Sequence, residues 1–134
     1  MRWCLLIAML LAGSAVSASA LSGWTVRLNQ SANGTTKRVH VGDTLILTLS
    51  ANASTGYAWT FKSTGTPILR LLSARYVPPP QTPTPRLGAP GTFVARLAVR
   101  RTGRTTVALA YLRHTHPATP AARRFKVTIV AIPR

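Results

Sequence analysis

The chain is predicted to be all-β: an antiparallel β-sandwich of about 7–8 strands in a single domain. Three observations point there. Eight short runs alternate apolar and polar residues with the period of two that a half-buried strand requires. Gly, Pro and Asn fall between the runs, where the backbone must turn. No stretch carries the 3.6-residue period of a helix.

In chain order the expected strands are 24–28, 36–41, 44–50, 57–61, 68–76, 92–100, 105–111 and 123–132. In 44–50, Leu45, Leu47 and Leu49 share one face. In 57–61, Tyr57, Trp59 and Phe61 alternate with the smaller Ala58 and Thr60. Phe93, Ala95, Leu97 and Val99 form the apolar face of the sixth run. Val107, Leu109 and Tyr111 do so for the seventh, and Phe125, Val127, Ile129 and Ala131 for the eighth. With Leu45, Leu47, Leu49, Trp59 and Phe61, these are the expected core. Val41-Gly42-Asp43-Thr44 and Arg101-Thr102-Gly103-Arg104 read as tight turns, with Asp43 suited to hydrogen bonding inside its turn. Pro78-Pro79-Pro80-Gln81-Thr82-Pro83-Thr84-Pro85 cannot donate to a ladder at its prolines. It reads as a stiff connector that carries the chain across one end of the sandwich and presents residues 88–91.

Residues 1–20 have the composition of a secretory signal: Arg2, an apolar run from Trp3 to Ala12, and the small-x-small site Ala18-Ser19-Ala20, with Val16-Ser17-Ala18 as an alternative cut. That leaves 21–134 as the domain and implies a periplasmic or secreted protein. The one cysteine, Cys4, lies within the signal, so the domain must hold together by packing alone.

Seventeen Lys and Arg face the single acid Asp43, giving a net charge of +16. Attraction to a polyanion or an acidic partner is one reading, and solubility with a bias toward arginine is the other. Arg27, Arg38, Lys62, Arg70, Arg96, Arg100, Arg104 and Lys126 fall on many different strands, which suggests a general coating rather than one nucleic-acid stripe. Aromatic residues for base stacking are not interleaved with them.

Most catalysis is excluded by composition, so the chain is not expected to be an enzyme. One carboxylate cannot form a paired acid–base site, and a domain without cysteine has no thiol nucleophile or thiolate zinc site. No cofactor is implied. His114 and His116 would point the same way on an extended segment and so could share a metal. The alternative is that both are simply loop residues. Asn29, Asn33 and Asn52 begin tripeptides of the glycosylation type, and a glycan at Asn52 would bury the loop discussed next.

The most informative segment is Asn52-Ala53-Ser54-Thr55-Gly56-Tyr57-Ala58-Trp59, a polar turn between two strands. Strand-held loops of this kind often carry binding function. It resembles the Asn-Pro-Thr-Thr-Gly-(Phe/Tyr)-x-Trp signature of chagasin-type inhibitors of papain-like cysteine proteases. Three further segments follow in that family's order: Tyr76-Val77-Pro78-Pro79, Gly88-Ala89-Pro90-Gly91-Thr92-Phe93, and Arg101-Thr102-Gly103-Arg104-Thr105-Thr106 followed by Leu109-Ala110-Tyr111-Leu112-Arg113. The resemblance spans roughly Val39 to Ile132.

The resemblance implies an immunoglobulin-like sandwich whose three loops at one end plug a protease cleft reversibly and without covalent reaction. The implied contacts are Asn52, Ser54, Thr55, Gly56 and Tyr57 in the first loop, with Ser54 and Thr55 reaching toward the catalytic cysteine and histidine. The second loop would use Gly88, Ala89, Pro90, Gly91 and Thr92, and the third Arg113, His114 and Thr115. The implied partner is a papain-like cysteine protease bound by a monomer. The alternatives are a non-inhibitory immunoglobulin-like module binding another envelope protein, or a basic polyanion-binding protein. Two departures stand out. Arg113-His114-Thr115 replaces the family's Arg-Pro-Trp, and Ala53 and Ser54 stand where Pro and Thr are usual.

Overall fold

The computed structural model describes residues 23–80, 89–116 and 120–134. The expected signal at 1–20 and most of the proline-rich connector lie outside the described residues. The strands are β1 (Thr25–Leu28), β2 (Thr36–His40), β3 (Thr44–Ala51), β4 (Tyr57–Ser63), β5 (Leu69–Val77), β6 (Gly91–Val99), β7 (Gly103–Arg113) and β8 (Arg123–Ile132). All eight coincide with the expected runs to within about two residues. Single 3₁₀ turns at Gln30–Ala32 and Ala53–Thr55 are the helical elements among the described residues.

Two four-stranded sheets form, ordered β1-β3-β6-β5 and β2-β8-β7-β4. The central pairs are antiparallel, as alternation with short turns predicts. The edge strands β1 and β2 depart from that expectation: each adds in parallel, β1 to β3 and β2 to β8. β2, which lies between β1 and β3 in the chain, belongs to the other sheet, so no tight hairpin joins β1 to β3.

The inner faces carry the expected core. Leu45, Leu47, Leu49, Ala95, Leu97, Val107, Leu109, Phe125, Val127 and Ile129 are almost wholly removed from water. Each large side chain buried in this way stabilises by about 1.5–3 kcal/mol against leaving it exposed. Leu28, Val39 and Leu69, at strand ends, complete the cluster. Phe61 is only half-buried, because β4 lies at a sheet edge. Leu71 and Leu72 are exposed where β5 slips register against β6. A bulge of this kind aims apolar residues away from the core and blunts a free edge.

At the end of the sandwich where β3 begins, Asp43 is buried, with 2% of its surface exposed. Its carboxylate accepts from the Trp24 amide at 3.0 Å and the His40 amide at 2.8 Å, and it pairs with the Arg134 guanidinium. The turn role expected for Asp43 is therefore fulfilled, and a cation from the far end of the chain neutralises it. Burial alone would push this carboxyl up. The two backbone amides and Arg134 outweigh burial and hold it below the ordinary carboxylate range.

Candidate functional site

The register of the strands gathers three connections at the opposite end. β3 ends at Ala51, which pairs with Gly91 at the start of β6. β4 begins at Tyr57, which pairs with Arg113 at the end of β7. β5 ends at Val77, which pairs with Thr92. Loop 52–56, the β5–β6 connection and the segment after Arg113 therefore leave the same end of the molecule. The proline-rich connector closes a β5–β6 hairpin there, rather than carrying the chain across from elsewhere.

The first loop is a tightly bonded 3₁₀ turn. The Asn52 side chain accepts from the Ser54 amide at 3.2 Å and from the Ser54 hydroxyl at 2.6 Å. The Thr55 hydroxyl donates to the Asn52 carbonyl at 2.7 Å. Gly56 closes the turn at φ 77°, a left-handed conformation that favours glycine, and no atom lies within 4 Å of where its Cβ would be. Ser54 and Thr55 are exposed, yet their hydroxyl protons serve the loop itself. What they present to solvent is a turn of fixed shape.

The loop's base is held by Trp59 and by Tyr111, and the sequence did not reveal the role of Tyr111. The Tyr111 hydroxyl accepts from the Asn52 amide at 2.8 Å and reaches the Asn52 carbonyl at 3.4 Å. The Trp59 indole donates to the Ser50 carbonyl at 3.0 Å. Tyr111 stacks on Tyr57 at a centroid separation of 5.4 Å and packs at a tilt against Trp59 at 5.0 Å. Arg113 lies over Tyr57 at 5.2 Å, and Arg123 over Trp59 at 5.3 Å. Arg123 was not among the expected site residues. The available signal was Tyr111, since a tyrosine on a core face needs a partner for its hydroxyl.

The second loop is described only in part: Gly88 lies outside the described residues, Ala89 is half-buried and Pro90 exposed. Gly91 is buried against Tyr76 and the Val77 carbonyl, where a Cβ would collide with both. Thr92 is half-buried within β6. In the third loop the His114 amide donates to the Gly56 carbonyl at 3.1 Å, extending the β4–β7 ladder and tying that loop to the first. Arg113, His114 and Thr115 are exposed. The Thr115 hydroxyl and His116 Nδ1 lie 3.0 Å apart. Among the described residues no group of three or more His, Cys, Asp or Glu could hold a metal.

A cleft of about 350 Å³ opens between the β4 and β5 edges beneath these loops, lined by Ala53, Tyr57, Trp59, Tyr76, Phe93 and His114 among others. Its aromatic walls are a second feature that periodicity could not disclose, because they come from both sheets. No helix among the described residues is long and apolar enough to cross a membrane.

The fold is shared with solved inhibitor structures. The chain is 24% identical to a cysteine protease inhibitor, EhICP2, from Entamoeba histolytica, with a TM-score of 0.72 over 81% of this chain and 96% of that one. It is 26% identical to the Leishmania mexicana ICP, with a TM-score of 0.54 over 82% of this chain and 88% of that one. Its fold also matches PbICP-C, solved in complex with falcipain-2, at 19% identity and a TM-score of 0.50 over 84% of this chain and all of that one. No curated protein matches the sequence. The model of the chagasin family peptidase inhibitor I42 matches residues 38–129, well over half of the chain. The chain belongs to the chagasin family, a family of peptidase inhibitors rather than of enzymes.

Proposed function

We propose that this chain is a reversible, non-covalent inhibitor of papain-like cysteine proteases, and that the three-loop end is the surface that enters the protease cleft. One observation carries the reading: three connections emerge side by side, and the foremost is already ordered by its own hydrogen bonds. A preformed loop loses little conformational freedom on docking, so more of its contact energy becomes affinity. Family membership supports inhibition, and the structural relatives, a cysteine protease inhibitor and a chain solved in complex with falcipain-2, support the target class.

In this reading loop 52–56 sits deepest, because the space around Gly56 lets a cleft wall approach its backbone. The loop offers no electrophile and presents a well-bonded turn, which disfavours cleavage. Residues 89–92 and 113–115 flank it on either side. Thr115 fills a slot where the resembled signature has tryptophan. A buried aromatic anchor is worth on the order of 2–4 kcal/mol, so its absence lowers affinity by roughly 30- to 1,000-fold. Arg113 and the strong positive charge of residues 21–134 would speed association with an acidic protease face. The inhibitor acts as a monomer, released outside the cytoplasm once residues 1–20 are removed.

Titration of papain with the wild-type protein and with Gly56→Glu tests this reading. Inhibition by the wild type, lost in a variant that still folds, is the expected result. Absence of wild-type inhibition at roughly 50 μM, a concentration where even a much weakened inhibitor would bind, rejects it.

A further inference from the structure

The general coating of charge expected from the sequence includes an organised cluster with an apolar floor. On the outer face of the β1-β3-β6-β5 sheet, Arg27 pairs in register with Ile46, Ile46 with Arg96, and Arg96 with Ser73. Arg75, opposite Val94, stands one step further along. These six residues line a basin of about 430 Å³, with the arginines exposed at its rim and Ile46 and Val94 half-buried between them. Arg27 and Arg96 are two strand spacings apart, about 10 Å, within reach of a common ligand for two long side chains. Arg75 and Arg96 are diagonal neighbours, a distance at which like charges repel.

No acid relieves that repulsion among the described residues. The chain's one Asp, just before β3, is buried and already paired with Arg134. We infer that this basin is an anion site for a phosphate ester, with Arg27, Arg75 and Arg96 gripping the phosphate oxygens and Ile46 and Val94 supporting the ligand's carbon skeleton. Guanidinium forks match phosphate oxygens in pairs, which lysines do not. The basin contains no aromatic residue, so base stacking on single-stranded nucleic acid has no platform. Phosphorylated sugars and glycerol phosphate headgroups share the required chemistry: a dianion attached to a small aliphatic body. Arg75 also lines the cleft beneath the three loops, whereas Arg27 and Arg96 do not, and the test of this basin does not involve a protease.

The other sheet supplies a control matched in charge. Its outer face carries Arg38, Arg104 and Arg124 on β2, β7 and β8, all exposed. Calorimetric titration of the full chain with inorganic pyrophosphate should give saturable binding. Replacing Arg27, Arg75 and Arg96 together with Gln should weaken it by on the order of 100-fold, since each lost charge-assisted contact costs severalfold. Replacing Arg38, Arg104 and Arg124 with Gln should change it by less than about threefold, because only screened, long-range attraction is lost. The single variant Ser73→Glu should also abolish binding. Thermal unfolding without ligand confirms that each variant is folded. Glucose 1-phosphate and a water-soluble short-chain phosphatidic acid, compared at equal ionic strength, distinguish a free sugar phosphate from a lipid headgroup. Both must depend on the same arginines. Equal losses from the two triple variants would reduce the site to net charge, and no pyrophosphate binding at about 10 mM would remove it.

Discussion

At one end of the sandwich the chain reverses around a buried carboxylate, while at the other it reverses around hydrogen bonds that lie in water. Asp43 takes two backbone amides and a guanidinium inside the protein. Asn52 takes the Ser54 amide and hydroxyl on an exposed turn. Removing a buried acceptor costs the desolvation of every donor it served, whereas water replaces an exposed one cheaply. The Asp43 end is thus built for stability. The loop end gives up burial to keep a rigid shape on the surface.

The contrast can be broken most severely at Asp43. Asp43→Ala should destabilise by about 3 kcal/mol in urea unfolding, as two amides and Arg134 lose their acceptor. The fraction that remains folded should inhibit papain unchanged. Tyr111→Phe comes next: without its hydroxyl the Asn52 amide loses its acceptor, for about 1–2 kcal/mol of stability. Inhibition should weaken as well, because this residue spans core and loop. Thr115→Trp should leave unfolding unaltered while tightening inhibition about tenfold, or about 1.4 kcal/mol, by restoring part of an aromatic anchor.

The gentlest probe is pH. The folded state holds the Asp43 carboxyl below its ordinary range, so the stability it contributes is fully present above the unfolded chain's value. That contribution declines as the pH falls through the ordinary carboxylate range toward the lower folded value. Acid titration of stability should show this loss in the wild type, and Asp43→Asn should flatten it.

Much of this architecture was legible in the sequence, and the exceptions have physical causes. Period-two alternation located all eight strands and most of the core, since one face of each strand must be apolar. Alternation does not encode direction, so the parallel pairing of β1 and β2 was not readable. Asp43 was readable because a single acid in a Gly-containing turn has few other uses. The anchoring by Tyr111 and Arg123 was not, because it joins residues from β3, β4, β7 and β8 that only the folded register brings together. Ser54 and Thr55 are exposed, and the bonding of their hydroxyls to Asn52 was not legible, because it depends on the local geometry of the turn. The arginine basin escaped for the same reason as Tyr111: Arg27, Arg75 and Arg96 are distant in sequence and adjacent only across the sheet.

The central claim, that the loop end fills a protease cleft, is tested most directly by protection of the target's nucleophile. Papain would be treated with a thiol-alkylating reagent in the presence of the wild-type protein, Gly56→Glu or Asp43→Asn, and alkylation of its catalytic cysteine followed by mass spectrometry. The wild type and Asp43→Asn should shield the cysteine in proportion to occupancy, and Gly56→Glu should leave it open. Full alkylation with saturating wild-type protein bound to the protease would mean that the loops do not enter the cleft.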